Sequence, residues 1–280
     1  MNKDQIKQKI TNWGNQNEHI RAVVLTSSMA TNAKVQTDAF SDFDVVVYTN
    51  SIDSFRSDDW LSFFGEVLVR WPQKPQSTFD ENWLTRLVIF EDRMRIDFQI
   101  TDKSNAIPGD LDSGFEVLID KDGVTQSFPK PTYTSYLITK PTQEQFLECI
   151  NDYFWDATYV AKYLRRNEIF FAKYMFDSAL RFEYFEKMIE WHIGSENHWQ
   201  VTTNKHGRYF TKYLDQDIWQ EIQATFAGSD IDENWQAFLK MNQLFTKLAK
   251  EFASRLDYQY PHEQEAKILE YYKQSQYIPL

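Results

Sequence analysis

Ala22-Val-Val-Leu-Thr-Ser-Ser28 and Ser41-Asp42-Phe43-Asp44-Val-Val-Val-Tyr48 are two short apolar runs joined by a polar connection, residues 29–40. The second opens on two carboxylates one residue apart. Successive side chains of a strand point to opposite faces, so Asp42 and Asp44 share one side while Phe43 points to the other. Like charges held this close repel unless a cation lies between them, and hard carboxylate oxygens suit Mg²⁺. Ser27 and Ser28 end the first strand at a tight turn, where hydroxyls and backbone N–H groups can hold a phosphate. A third acid in reach would complete a two-metal site for phosphoryl or nucleotidyl transfer, and Asp97 is the candidate.

Composition narrows the partners. The 280 residues suffice for one large or two ordinary domains, each with its own core, and two are expected. A balance of 30 Lys+Arg against 41 Asp+Glu gives a net charge of −11, which argues against nucleic acid as partner because phosphate backbones demand basic surface. An acidic chain is better matched to a cationic small molecule, although many cytoplasmic proteins are simply acidic. Cys149 is the one cysteine, so neither an internal disulfide nor a cysteine-based zinc site is available; it lies in an apolar helical pattern and reads as core. No apolar run approaches the roughly 20 residues a membrane helix needs, and the first 20 residues carry no signal-peptide pattern. A cytoplasmic monomer without membrane association is the expectation.

Along the chain, Ile6, Ile10 and Trp13 predict a first helix over 4–15. Strands are expected at 22–26 and 44–48. Ser57-Asp58-Asp59 reads as a helix start, with acids in the first turn ahead of Trp60, Phe63, Phe64, Val67 and Leu68. Residues 83–90 and 93–100 read as a hairpin about Glu91-Asp92, in which Arg95, Asp97 and Gln99 share one face. Asp97 then has two readings, an exposed position on an edge face or a ligand aimed at a site. Phe115 to Ile119 is a further short strand, and Asp110, Asp112, Asp120 and Asp122 read as solvated loop acids. The Pro-, Thr- and Tyr-rich stretch 123–142 is the best boundary in the chain. Everything beyond it is helical in pattern: 142–165, 168–193, pieces near Lys212 and after Asp215, 233–256, and a last helix after Pro261. The expected architecture is α+β, a mixed-sheet domain over 1–135 followed by an all-α helical bundle over 136–280.

These residues carry a family resemblance. Ser27-Ser28, Ser41-Asp42-Phe43-Asp44 and Asp97 resemble the nucleotidyltransferase pattern of Gly-Ser, Asp-x-Asp and a third acid. The helical blocks Phe154-Trp155-Asp-Ala-Thr158, Ala172-Lys173-Tyr-Met-Phe-Asp177, Met188-Ile-Glu190-Trp191-His-Ile-Gly194 and Tyr258-Gln-Tyr260-Pro261 closely resemble the aminoglycoside 6-adenylyltransferases. The similarity runs over essentially the whole chain. It departs at the turn: the family motif reads Gly-Ser-Arg where this chain has Ser27-Ser28-Met29. Gly there permits positive φ and close approach of a phosphate, and the Arg supplies a guanidinium, so the change bears on ATP binding and substrate choice.

The resemblance implies a Mg²⁺-dependent enzyme that moves AMP from ATP to a hydroxyl of a streptomycin-like aminoglycoside. Its alternatives are the same chemistry on another acceptor, or a homologue that binds without efficient turnover. Asp42 and Asp44 would hold Mg²⁺, and Asp97 would be metal ligand, general base or both. Ser27 and Ser28 would meet phosphates. Lys162 and Lys173 are either phosphate-binding point charges or ordinary helix-surface lysines. Asp156, Asp177, Glu183 and Glu190 are candidates for the ammonium and guanidinium groups of the acceptor, against the alternative that such acids simply face water. Trp155 and Trp191 read as core. His192, His198 and His206 lack metal-ligand spacing.

Overall fold

Six strands, β1 (Ile20–Thr26), β2 (Phe43–Thr49), β3 (Val67–Trp71), β4 (Trp83–Phe90), β5 (Arg95–Asp102) and β6 (Phe115–Asp120), form one sheet in the order β3-β4-β5-β2-β1-β6. The computed structural model describes residues 1–30, 37–38, 40–74, 82–105 and 111–279. Only β2 and β5 run parallel; the other neighbours are antiparallel, so the sheet is mixed. The chain divides into two compact units, Met1–Ser135 and Tyr136–Leu280.

Alternation along the strands produces the layers of the first unit. Phe43, Val45 and Val47 of β2 and Ile96, Phe98 and Ile100 of β5 all bury on one face. Helix α1 (Lys3–Gln16) covers that face with Ile6, Ile10 and Trp13, and its start is closed by a capping box between Asn2 and Gln5. The helix lies so close that a Cβ on Gly14 would stand 2.5 Å from Ile119 Cδ1. On the other face Ala22, Val24 and Tyr48 form a smaller cluster with Phe115 and Phe128 packed against it.

Two expectations fail in this unit. The helix predicted after Ser57 is a short 3₁₀ turn, Asp59–Phe63, followed by edge strand β3. Asp58 is not an N-terminal helix acid: it is buried and receives Arg86 Nε at 2.7 Å and Arg70 Nη1 at 2.5 Å. That capture leaves no side-chain cap at Asp58, whose φ is +63°, and Gly65 at φ +140° then turns the chain into the strand. The helical spacing of Trp60 and Phe64 serves instead an aromatic cluster around Trp13, with centroid separations of 5.2 Å to each. The loop acids are not idle either. Asp112 accepts the N–H groups of Thr132, Tyr133, Thr134 and Ser135 and the hydroxyls of Thr132 and Ser135, which hold its carboxyl well below the usual range. Asp120 closes the turn onto Val124 and Thr125, and Asp122 pairs with Arg21 and Lys103. Asp110 lies outside the described residues.

The second unit is built from α2 (Gln143–Arg165), α3 (Ile169–Lys173), α4 (Glu186–Glu196), α5 (Phe210–Tyr213), α6 (Gln216–Gln223), α7 (Ile231–Leu256) and α8 (His262–Ser275). Thr142 and Gln145 form the capping box that starts α2. Between α3 and α4 the chain stays helical but is π-wound over Tyr174–Phe185, so the single helix expected from 168 to 193 has a wider middle. The core gathers Phe146, Tyr153, Phe154, Phe245 and Phe252, with Tyr153 and Phe245 stacked at 3.6 Å. Cys149 is buried there, as its pattern implies. Trp191 is core, but Trp155 is 64% exposed. The inward stripe of α2 passes through Tyr153, Phe154, Ala157 and Ala161, and a residue next to Phe154 on a 3.6-residue helix is rotated off that stripe. Among the described residues no helix is long and apolar enough to cross a membrane.

Candidate active site

Asp44 and Asp97 are register partners on the parallel pair β2 and β5, and Thr26 at the end of β1 is the partner of Asp44 on its other side. Partnered residues of adjacent strands project to the same face, so the two carboxylates stand side by side. Asp42, two residues ahead of Asp44, adds its charge to the same group. β5 is an interior strand and Asp97 is 8% exposed, which removes the edge reading of this acid.

The consequence is electrostatic. The Asp44 carboxyl is pushed up to about 6, first by burial and then by the charges of Asp42 and Asp97; a hydrogen bond from Ser27 and the Arg95 guanidinium pull the other way. Ser27 belongs to the 3₁₀ turn Ser27–Met29 that ends β1, with Ser28 partly exposed and Met29 buried. Its φ of +57° is the left-handed backbone that a glycine adopts without penalty.

A fourth residue, which the sequence places on the Asp97 face without nominating it for the site, completes the group. Arg95 opens β5 two residues before Asp97 and therefore shares its face. Its guanidinium grips Asp97 with both arms, Nε to Oδ1 at 3.1 Å and Nη2 to Oδ2 at 2.7 Å, and Nη2 also stands 3.3 Å from Asp42 Oδ2. The i, i+2 spacing of opposite charges on one strand is the signal that finds it. Among the described residues no three His, Cys, Asp or Glu side chains are gathered as a metal-binding group. The donor chemistry nevertheless suits a hard divalent cation: three carboxylates, one of them with a pKa raised by burial and then by its acidic neighbours, and a guanidinium standing as the cation between two of them.

The remaining candidates lie in the second unit. Lys173 donates to Ala227 O at 2.8 Å, to Asn234 Oδ1 at 3.3 Å and to Asp177 at 2.5 Å, so its three protons are engaged. Asp177 also meets Arg181 at 3.4 Å and is thus held between two cations. Lys162 is exposed over the Tyr163 ring. Asp156 accepts Tyr184 Oη–H at 2.9 Å, Glu190 accepts Thr203 Oγ1–H at 2.6 Å, and Glu183 is exposed.

The family model described as streptomycin adenylyltransferase matches residues 1–275. An aminoglycoside 6-adenylyltransferase of Campylobacter jejuni is 32% identical over 90% of this chain and 88% of its own length. One from Bacillus subtilis is 30% identical over 87% of each chain. The crystal structure of an aminoglycoside 6-adenyltransferase from Bacillus subtilis aligns over 99% of this chain and 100% of its own, with 25% identity and a TM-score of 0.49. The chain belongs to the streptomycin adenylyltransferase family, whose members are nucleotidyltransferases.

Proposed function

We propose that this chain transfers AMP from ATP to a hydroxyl of a cationic, streptomycin-like aminoglycoside and releases pyrophosphate. The observation that carries this reading is the register pairing of Asp44 with Asp97, with Asp42 and Asp97 joined through Arg95, beside the Ser27–Met29 turn, in a chain of this family. Asp42, Asp44 and Asp97 are the residues that would hold Mg²⁺. When bound, the ion offsets the charge of the triphosphate and of the leaving pyrophosphate. Asp97 orients the acceptor hydroxyl and takes its proton at a carboxylate oxygen. Ser27 and Ser28 offer hydroxyl and backbone donors to the phosphates. Lys162, with an exposed ammonium, is the point charge available for phosphate, whereas the Lys173–Asp177 pair braces the helical unit. Exposed Glu183, and Asp156 and Glu190, each of which accepts one hydroxyl hydrogen bond, are the acids for the ammonium groups of the acceptor.

A second reading, the same transfer to a different hydroxyl acceptor, is favoured by one feature: the turn carries Ser27 at positive φ and a buried Met29. Incubating the chain with ATP, Mg²⁺ and streptomycin tests the first reading, which requires the antibiotic to gain the mass of one AMP. Pyrophosphate release that appears only with a non-aminoglycoside alcohol would instead establish the second.

A further inference from the structure

The cation found among these acids belongs to the protein. Arg95 engages both oxygens of Asp97 and reaches Asp42 with the same Nη2, so a divalent ion binding these acids would be brought against a fixed positive charge. We propose that Arg95 is a built-in counter-ion that a divalent cation must displace from Asp42 and Asp97 to enter the site. This rests on the reading of the three acids as metal ligands. Two like-charged cations cannot share these carboxylates without repulsion, and each oxygen of Asp97 already accepts one N–H while the fork is in place.

The geometry also makes displacement easy. Arg95 is the first residue of β5, and its side chain is 45% exposed. Asp97 is held with its side chain 11% exposed, but the guanidinium end lies in water, which screens it and lets the long side chain swing away. A cation arriving alone must break the pair with no compensation for the guanidinium. Arriving with a triphosphate, it brings an anion on which the released fork can close bidentately. Arg95 thus favours the metal–nucleotide complex over the free metal.

The test is calorimetric titration of the full chain with Mn²⁺, alone and with a non-hydrolysable ATP analogue. Wild type, Arg95→Gln, Arg95→Lys and Asp44→Asn are compared. Removing the guanidinium is expected to tighten binding of Mn²⁺ alone by about fivefold, with Lys intermediate, the size set by a pair whose guanidinium end is screened by water. With the nucleotide analogue the gain disappears. Unchanged or weaker binding of Mn²⁺ alone by Arg95→Gln, while Asp44→Asn abolishes binding, overturns the counter-ion role and leaves the metal site standing. No Mn²⁺ binding by any of the four, with or without nucleotide, removes the metal site and the proposal together. Should the Gln variant fail to fold, Arg95→Lys, which keeps the charge and loses the fork, carries the same comparison at smaller amplitude.

Discussion

Ser27 pays twice for its place: φ of +57° forces an L-residue into left-handed backbone, while its hydroxyl is committed to Asp44. Ser27→Ala and Ser27→Gly both lose the hydroxyl but only Gly relieves the backbone, so their difference isolates the strain. Gly should be the more stable of the two by about 1 kcal/mol in urea unfolding; equal stabilities would mean that the turn is unstrained. Asp44 works in the opposite sense to an ordinary surface carboxylate. Its folded pKa of about 6 lies above the ordinary carboxylate value. The metal-free fold therefore binds a proton that the unfolded chain releases, and its stability falls as pH rises from about 4 to about 6. With metal chelated, Asp44→Asn should stabilise the protein at pH 7.5 by on the order of 1–2 kcal/mol and by little at pH 4. A destabilised variant at pH 7.5 would show that the carboxylate is compensated rather than crowded.

Among the elements, legibility followed local pattern. β1 and β2 were readable because unbroken β-branched runs bounded by polar turns have few other solutions, and the helical pattern over 142–165 announced α2. Asp42, Asp44 and Asp97 could be nominated from spacing and resemblance, but their proximity depends on β5 lying beside β2, a long-range pairing that no local pattern encodes. The helix expected after Ser57 failed for the same reason, since Arg86 on β4 decides what Asp58 does. Arg95 was visible as a same-face neighbour of Asp97, yet its reach to Asp42 is tertiary. In the helical unit, His192 of α4 shows how burial sets behaviour. It is 1% exposed, stands 3.3 Å from Arg255 Nη1, and faces Glu196 and Glu251 at 3.5 and 3.7 Å. Its pKa is pushed down to about 4 by burial and then by the charges of Arg255 and Lys247. The folded value lies below the unfolded one, so the contribution to stability is complete above about pH 6.5 and is lost as pH falls toward 4. Between pH 7 and 5 the helical unit should lose on the order of 2 kcal/mol through this group. His192→Gln should flatten that slope in urea titrations, and an unaltered slope would assign the acid sensitivity elsewhere.

For the molecule as a whole, each unit carries its own core, and the family match spans both. A net charge of −11 accords with the proposed cationic acceptor, and in the proposed reaction the acidic group on the sheet would have Mg²⁺ between itself and a polyanionic donor. The proposed reaction would depend on the three carboxylates more than on any other feature of the chain. The most direct measurement is the initial rate of pyrophosphate release with Mg²⁺, ATP and streptomycin, for wild type beside Asp44→Asn. AMP transfer at this site requires release by the wild type and a fall of at least 10²–10³ in the variant, the scale on which loss of a key stabilising group slows such reactions. An Asp44→Asn rate equal to that of the wild type would contradict it.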